Sequence, residues 1–206
     1  MLKVYCRNSF NLDITDVPLS EYRRRKIQSL KAHDKLNCGL CLEELLNRAV
    51  CENLSGYKIP VSIITGENGK PYLSDNAMFF SLSDTDTFCI CAVSDTEIGA
   101  DIQRIVSGRE KLAQRFFSEE ETDFFNRSEK RDEMFSLLWS LKESYIKFLG
   151  LGLSKSLNSF AVIPNVDGTA VLSGSENCRF FWRRWEDRYI SICTAKETET
   201  PDYIFL

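Results

Sequence analysis

The chain contains one histidine, His33, among 206 residues. That scarcity removes most nucleophile-plus-base chemistry, since a Ser-His-Asp or Cys-His arrangement would have to run through this imidazole. Nothing around His33 resembles a nucleophile elbow, and zinc sites needing two histidines are excluded. No apolar run approaches the roughly 18 residues of a membrane helix. The opening stretch breaks its apolar residues with Lys3, Arg7, Asn8 and Asp13, so no signal-peptide core is expected. There is no Gly-rich phosphate loop. Nor is there an excess of positive charge: 26 Lys and Arg face 30 Asp and Glu, net −4, which argues against a general nucleic-acid binder. A soluble cytoplasmic protein with neither membrane nor nucleic-acid partners is the expectation.

Hydrophobic residues at 43% and charged residues at 27% are ordinary globular values and exclude a disordered or collagen-like chain. The length fits one two-lobed unit or two small domains. The eight cysteines mostly lie inside apolar patterns, where free Cys behaves as a small hydrophobe. Cys38-Gly39-Leu40-Cys41 is the one C-x-x-C, with no second pair at zinc-ribbon spacing. It reads as a redox pair or as structural cysteines in a reducing compartment, and its place within a helical pattern favours the second. Arg23, Arg24, Arg25 and Lys26 stand together, as a solvated helix face or as a local anion site.

Apolar spacing predicts an extended segment and polar loop over 1–17, then helix from Leu19-Ser20-Glu21 to Val50, ended by Gly56. Strands are expected over 59–65, 79–82, 88–93 and 98–102, with a turn at 66–69. Ser118 and Glu121 have capping-box spacing. An amphipathic helix follows from Met134 to Leu149, with Lys142 on its polar side and Gly150 as its stop. Beyond Phe160 the pattern returns to strands over 160–163, 170–172, 179–185 and 189–195. Several pairs recur at about half the chain length: Ser20 and Ser118, Asn68-Gly69 and Asp167-Gly168, Phe79-Phe80 and Phe180-Phe181, Ile90-Cys91 and Ile192-Cys193. Their common order points to a pseudo-twofold α+β protein with two similar lobes, residues 1–98 and 99–206, and a ligand where they meet.

Two segments carry candidate chemistry. On a strand, Gly99, Asp101 and Gln103 share a face, and a carboxylate beside an amide oxygen suits a hard cation. A hairpin aspartate bonded to backbone fits the same spacing. On the long helix, Glu143 with Lys142 and Lys147 fits a metal–phosphate group. Glu143 and Lys147 also fit a surface ion pair worth roughly 0.3 kcal/mol, with Trp139 as core and the glycines as a helix stop.

Gly99-Ala100-Asp101-Ile102-Gln103, Phe117-Ser118-x-x-Glu121 and Trp139-x-x-Lys142-Glu143-x-x-x-Lys147-x-x-Gly150-x-Gly152-Leu153 together resemble the 4′-phosphopantetheinyl transferases of the Sfp type. Gly69-Lys70-Pro71 and Ser81-Leu82-Ser83 fall where that family has further elements. The resemblance implies two α+β lobes in one monomeric chain. It also implies an enzyme that moves the 4′-phosphopantetheine arm of coenzyme A onto a serine of an acyl or peptidyl carrier protein, with Mg²⁺, releasing adenosine 3′,5′-bisphosphate. By similarity Asp101, Gln103 and Glu143 are metal ligands, and Glu143 takes the proton from the carrier serine, with Lys147 beside it. Lys142 and Lys147 hold phosphates, and Arg25, Lys70, Pro71, Ser83 and Asp84 fall at coenzyme contacts. Three positions depart from the pattern. Gln103 replaces an acidic residue, Asp84 replaces a histidine that grips the coenzyme's 3′-phosphate, and Tyr22 stands near an expected basic residue. The Arg23–Lys26 cluster is expected to compensate. A weakened homologue that binds carrier proteins as a scaffold is the competing reading; the retained Asp101, Lys142, Glu143 and Lys147 favour the transferase.

Overall fold

Alternation along the strands sends successive side chains to different cores, and this sets the layers. In β1 (Leu2–Asn8) and β5 (Phe88–Ser94), Tyr5, Cys89, Cys91 and Val93 join the core under α2 (His33–Asn53). Val4, Cys6, Ile90 and Ala92 face the other way, where they meet Ile98, Ala100 and Ile102 of β6 (Ile98–Arg104) and Ile190 and Ile192 of β10 (Arg188–Ala195). Tyr189 and Cys193 turn outward again, into the core under α5 (Arg131–Leu149). The result is a helix–sheet–sheet–helix stack. The computed structural model describes residues 1–9, 16–28, 30 and 32–206, the side chain of Leu153 excepted. The loop expected up to residue 17 therefore lies partly outside the described residues, as does the side chain of the last motif position.

The second lobe repeats the first. The strand order β11-β1-β5-β4 in one sheet answers β6-β10-β9-β8-β7 in the other, with β4 (Phe79–Thr85), β7 (Val162–Pro164), β8 (Thr169–Leu172), β9 (Cys178–Trp185) and β11 (Asp202–Phe205). The hairpin turn at Asn68-Gly69, between β2 (Ile63–Thr65) and β3 (Pro71–Leu73), corresponds to Asp167-Gly168 between β7 and β8. Phe79-Phe80 and Phe180-Phe181 lie on β4 and β9, and Ile90-Cys91 and Ile192-Cys193 on β5 and β10. The last strand, β11, runs parallel to β1 and so joins the first sheet. Edge strands β4 and β6 meet through serines, not through a backbone ladder. The Ala100 amide donates to Ser81 Oγ at 2.8 Å and the Ile102 amide to Ser83 Oγ at 3.4 Å, satisfying donors that a sheet edge leaves open.

Each lobe fastens its helices with a buried ion pair at a serine cap. In the first, Ser20 caps α1 (Glu21–Gln28) by accepting from the Arg23 amide. Its own amide donates to Glu43 of α2 at 2.6 Å, and Glu43 also accepts from Arg23 Nε at 3.3 Å. In the second, Ser118 and Glu121 close the expected capping box at the start of α4 (Glu119–Arg127), and Glu121 pairs with Lys142. A short helix, α3 (Glu110–Phe116), precedes α4.

Three expectations change. The continuous helix from Leu19 is two helices, α1 and α2, at an angle that lets Arg23 reach Glu43. The strand expected over 59–65 survives only at Ile63–Thr65, a two-stranded edge where Ile64 is half exposed. Lys142, expected on the polar side of its helix, is fully buried: its ammonium binds Glu121 and donates to the Phe160 carbonyl at 2.7 Å. Burial pushes its pKa down, while Glu121 opposes that shift. All eight cysteines are free, and Cys38 and Cys41 lie buried within α2. Among the described residues no helix is long and apolar enough to cross a membrane.

The buried pair carries a testable cost. Lys142→Met leaves Glu121 charged and uncompensated in the interior, so a loss of about 3 kcal/mol is expected from urea midpoints. Adding Glu121→Gln should recover much of it; a double variant no more stable than the single would contradict this account.

Candidate active site

The site depends on how closely α5 lies against β6. A Cβ at Gly99 would stand 2.0 Å from the Ser144 carbonyl oxygen and 2.2 Å from the Phe148 amide nitrogen, so only glycine lets the helix backbone touch the strand there. Two residues further along the same strand face is Asp101, brought under Glu143 and Lys147 one helical turn apart. Asp101 is buried, and its Oδ1 accepts from Lys147 Nζ at 2.8 Å and from Ser83 Oγ at 2.7 Å. It is thus no hairpin aspartate. Lys147 takes its carboxylate partner across the helix–strand contact, and also donates to the Ala100 carbonyl at 3.0 Å. Half-buried Glu143 has its pKa raised, first by desolvation and then by the charge of Asp101, with Lys147 acting the other way.

Glu143 and Lys147 open onto a cavity of about 650 Å³ between the lobes. Its walls come from α1, the start of α2, the β2–β3 turn, β4 and the end of α5. Lys70 and Pro71 line it, as does Asp84. The Lys70 ammonium is held by Glu97, by the Ile98 carbonyl at 2.9 Å and by the Phe148 carbonyl at 3.1 Å. All three of its protons therefore have protein acceptors, and it ties the end of α5 to the start of β6. Its stem passes over Gly150, where a Cβ would come within 3.2 Å of Lys70 Cδ; Gly150 is also the left-handed cap that stops α5, with φ 66°.

Of the basic cluster, Arg23 and Lys26 line the cavity, and the Lys26 ammonium lies 4.7 Å from the Tyr22 ring centre. Arg25 does not line it: it is exposed on the far side of α1, paired with Glu21 at 2.9 Å. Lys142 is turned away into its clamp. Ser83 does not line the cavity and instead donates its hydroxyl to Asp101. Gln103 lies half-buried on the Asp101 strand face, its amide 3.5 Å from the Arg104 carbonyl. Lys35, which the sequence did not single out, comes from the first turn of α2 to pair with Asp84 at 3.1 Å. Its only sequence signal was a basic residue early in a helix.

Hard oxygen donors dominate where β6 meets α5. Two carboxylates in mutual repulsion there suit a divalent cation of the Mg²⁺ type, which accepts oxygen ligands and retains water. Among the described residues, however, no three acidic, histidine or cysteine side chains are grouped to hold a metal, so such an ion would rely on Asp101, Glu143, the Gln103 amide and non-protein oxygens.

A doubled α+β fold with paired carboxylates and lysines beside a lobe-interface cavity defines the class. The sequence profile of the 4′-phosphopantetheinyl transferase superfamily matches residues 97–198. Over 153 residues the chain is 31% identical to 4′-phosphopantetheinyl transferase Sfp of Bacillus subtilis strain 168, covering 73% of this chain and 68% of that one. It is 26% identical over 207 residues to the L-aminoadipate-semialdehyde dehydrogenase-phosphopantetheinyl transferase of Saccharomyces cerevisiae, covering 91% of this chain and 75% of the other. The chain belongs to the 4′-phosphopantetheinyl transferase family, Sfp type. It spans 65%, 45% and 58% of the lengths of relatives from Bacillus subtilis, Aneurinibacillus migulanus and Bacillus pumilus. Among solved structures, the holo-[acyl-carrier-protein] synthase of Thermotoga maritima matches 50% of this chain and 65% of its own, at 21% identity and a TM-score of 0.43.

Proposed function

We propose that this protein transfers the 4′-phosphopantetheine group of coenzyme A to a serine hydroxyl of an acyl or peptidyl carrier protein, releasing adenosine 3′,5′-bisphosphate. The observation that carries the reading is the meeting of Asp101, Glu143 and Lys147 at the Gly99 contact, at the edge of a cavity with room for a nucleotide-sized ligand. Cleaving a pyrophosphate bond calls for charge neutralisation more than for a protein nucleophile. Lys147, whose ammonium pairs with Asp101 at the cavity edge, and Lys26 and Arg23 supply positive charge. Asp101 and Glu143 would hold a Mg²⁺ ion, which would supply Lewis-acid stabilisation of charge on the phosphate. Glu143, at the cavity edge beside Lys147, accepts the proton of the attacking serine. Lys70 and Ser83 orient these groups through α5, β6 and Asp101.

Incubation with coenzyme A, Mg²⁺ and a panel of apo carrier proteins, read by mass spectrometry, tests the proposal. The expected result is the added mass of one phosphopantetheine on the carrier serine. Carrier binding without any transfer across a broad panel would leave the scaffold reading in its place. The placement of Arg25 adds a smaller expectation: Arg25→Ala should change coenzyme A affinity less than about twofold, since an exposed ion pair away from the cavity contributes little. A tenfold loss by titration calorimetry would show that α1 reorients around the ligand.

A further inference from the structure

Five cations line the cavity, Arg23, Lys26, Lys35, Lys70 and Lys147, with two carboxylates, Asp84 and Glu143. The proposed reaction uses Glu143 and leaves Asp84 without a task. The carboxylate partners of Arg23, Lys70 and Lys147 are Glu43, Glu97 and Asp101, none of which lines the cavity. Lys35 differs. Its partner Asp84 is itself on the cavity wall, and the pair spans from the first turn of α2 to β4 at 3.1 Å. Both remain in touch with solvent, the Lys35 side chain 58% exposed and that of Asp84 25%.

We propose that Asp84 is a built-in competitor for the donor's phosphate: it holds the Lys35 ammonium at the cavity wall and gives it up when a phosphate group enters. The inference rests on the phosphopantetheinyl-transfer reading of the same cavity. An ion pair this exposed is weak, worth about 0–1 kcal/mol, so it exchanges readily. A phosphate, with more charge and more acceptor oxygens than a carboxylate, takes the lysine by charge-assisted hydrogen bonds. The contact with Asp84 is also the main cause raising the Lys35 pKa. Once Lys35 has moved, Asp84 is left as a bare carboxylate facing the phosphate. Binding is thereby weakened and release of the bisphosphate product hastened. Asp84 is on this view an affinity-setting residue that never touches the reacting atoms.

The test is titration calorimetry of coenzyme A against the full chain with Mg²⁺, using wild type, Asp84→Asn and Lys35→Ala. Asp84→Asn is expected to bind coenzyme A about three- to tenfold tighter, with a matching fall in KM, and Lys35→Ala about three- to tenfold weaker. Near 0.5 M salt the gain in Asp84→Asn should shrink, because it is electrostatic. Unchanged or weaker binding by Asp84→Asn overturns the inference, since Asp84 then positions Lys35 or touches the donor. Unchanged binding by Lys35→Ala, or a gain insensitive to salt, overturns it too. Failure of wild type and variants alike to bind coenzyme A is the separate result that removes the transfer reading and this inference with it.

Discussion

Gly99→Ala is expected to abolish cooperative folding at 37 °C, or to lower Tm by about 15 °C if a folded form survives. The added methyl would sit 2.0 Å from a carbonyl oxygen and 2.2 Å from an amide nitrogen of α5, and 2.8 Å from Phe148 Cα. These are backbone atoms of a helix already packed against β6 and β10, so no side-chain rotation relieves the clash. The helix must withdraw by more than an ångström, opening voids in the core that it shares with Phe180, Tyr189 and Cys193. A cost of about 5 kcal/mol follows, and in a chain of this length each kcal/mol moves Tm by about 2–4 °C. The same withdrawal parts Glu143 and Lys147 from Asp101, so any folded fraction should also lack activity. A thermal scan showing Gly99→Ala within 3 °C or so of wild type would mean that α5 does not rest on β6 as described.

Glu143→Gln and Asp101→Asn are expected to reduce kcat/KM by about 10²–10⁴, a range typical for loss of a positioned base or of charge stabilisation. The two failures should differ. The pKa of Glu143 is raised first by burial and then by the charge of Asp101, with Lys147 acting the other way. The folded state thus keeps the Glu143 proton to higher pH than the unfolded chain does, and stability is lost as pH rises through that folded pKa. Removing the charge removes this loss. Glu143→Gln should therefore be more thermostable than wild type at neutral pH, and the difference should vanish below about pH 4, where the unfolded glutamate is protonated as well. Asp101→Asn has no such advantage, because Asp101 is held by Lys147 and Ser83, and the substitution takes from Lys147 its charged partner. A Glu143→Gln variant that is inactive yet no more stable at pH 7 would separate the catalytic from the electrostatic argument.

Much of this was legible in the residues. The β-rich runs at 88–93 and 98–102 and the helical spacing after Met134 mark elements that pack on a core, and those elements fold as the pattern implies. The half-length recurrences hold because turns and strand cores obey local rules that both lobes share. Partners brought from far along the chain were harder to see. A lysine beside a glutamate on an amphipathic helix reads as solvated, and nothing nearby announces that Glu121, 21 residues earlier, will draw Lys142 into the interior. The helix over 19–50 looked continuous because its apolar spacing persists through the break between α1 and α2. In the site, Gly99, Asp101, Glu143 and Lys147 were visible as residue types in a pattern. The split of the basic cluster, with Arg23 inward and Arg25 outward, and the arrival of Lys35 at Asp84 depend on the tilt of two helices, which no local spacing encodes.

The two serine-capped clamps have opposite polarity. In the first lobe the short helix carries the cation, Arg23, and the long helix the anion, Glu43; in the second the short helix carries the anion, Glu121, and the long helix the cation, Lys142. Were the lobes to trade helices during folding, Arg23 would be buried against Lys142, and Glu43 against Glu121. Each wrong docking confronts like charges in the dry interior, where separation from water makes repulsion strong. A chain made of two look-alike halves thus carries its own key to which half each helix belongs.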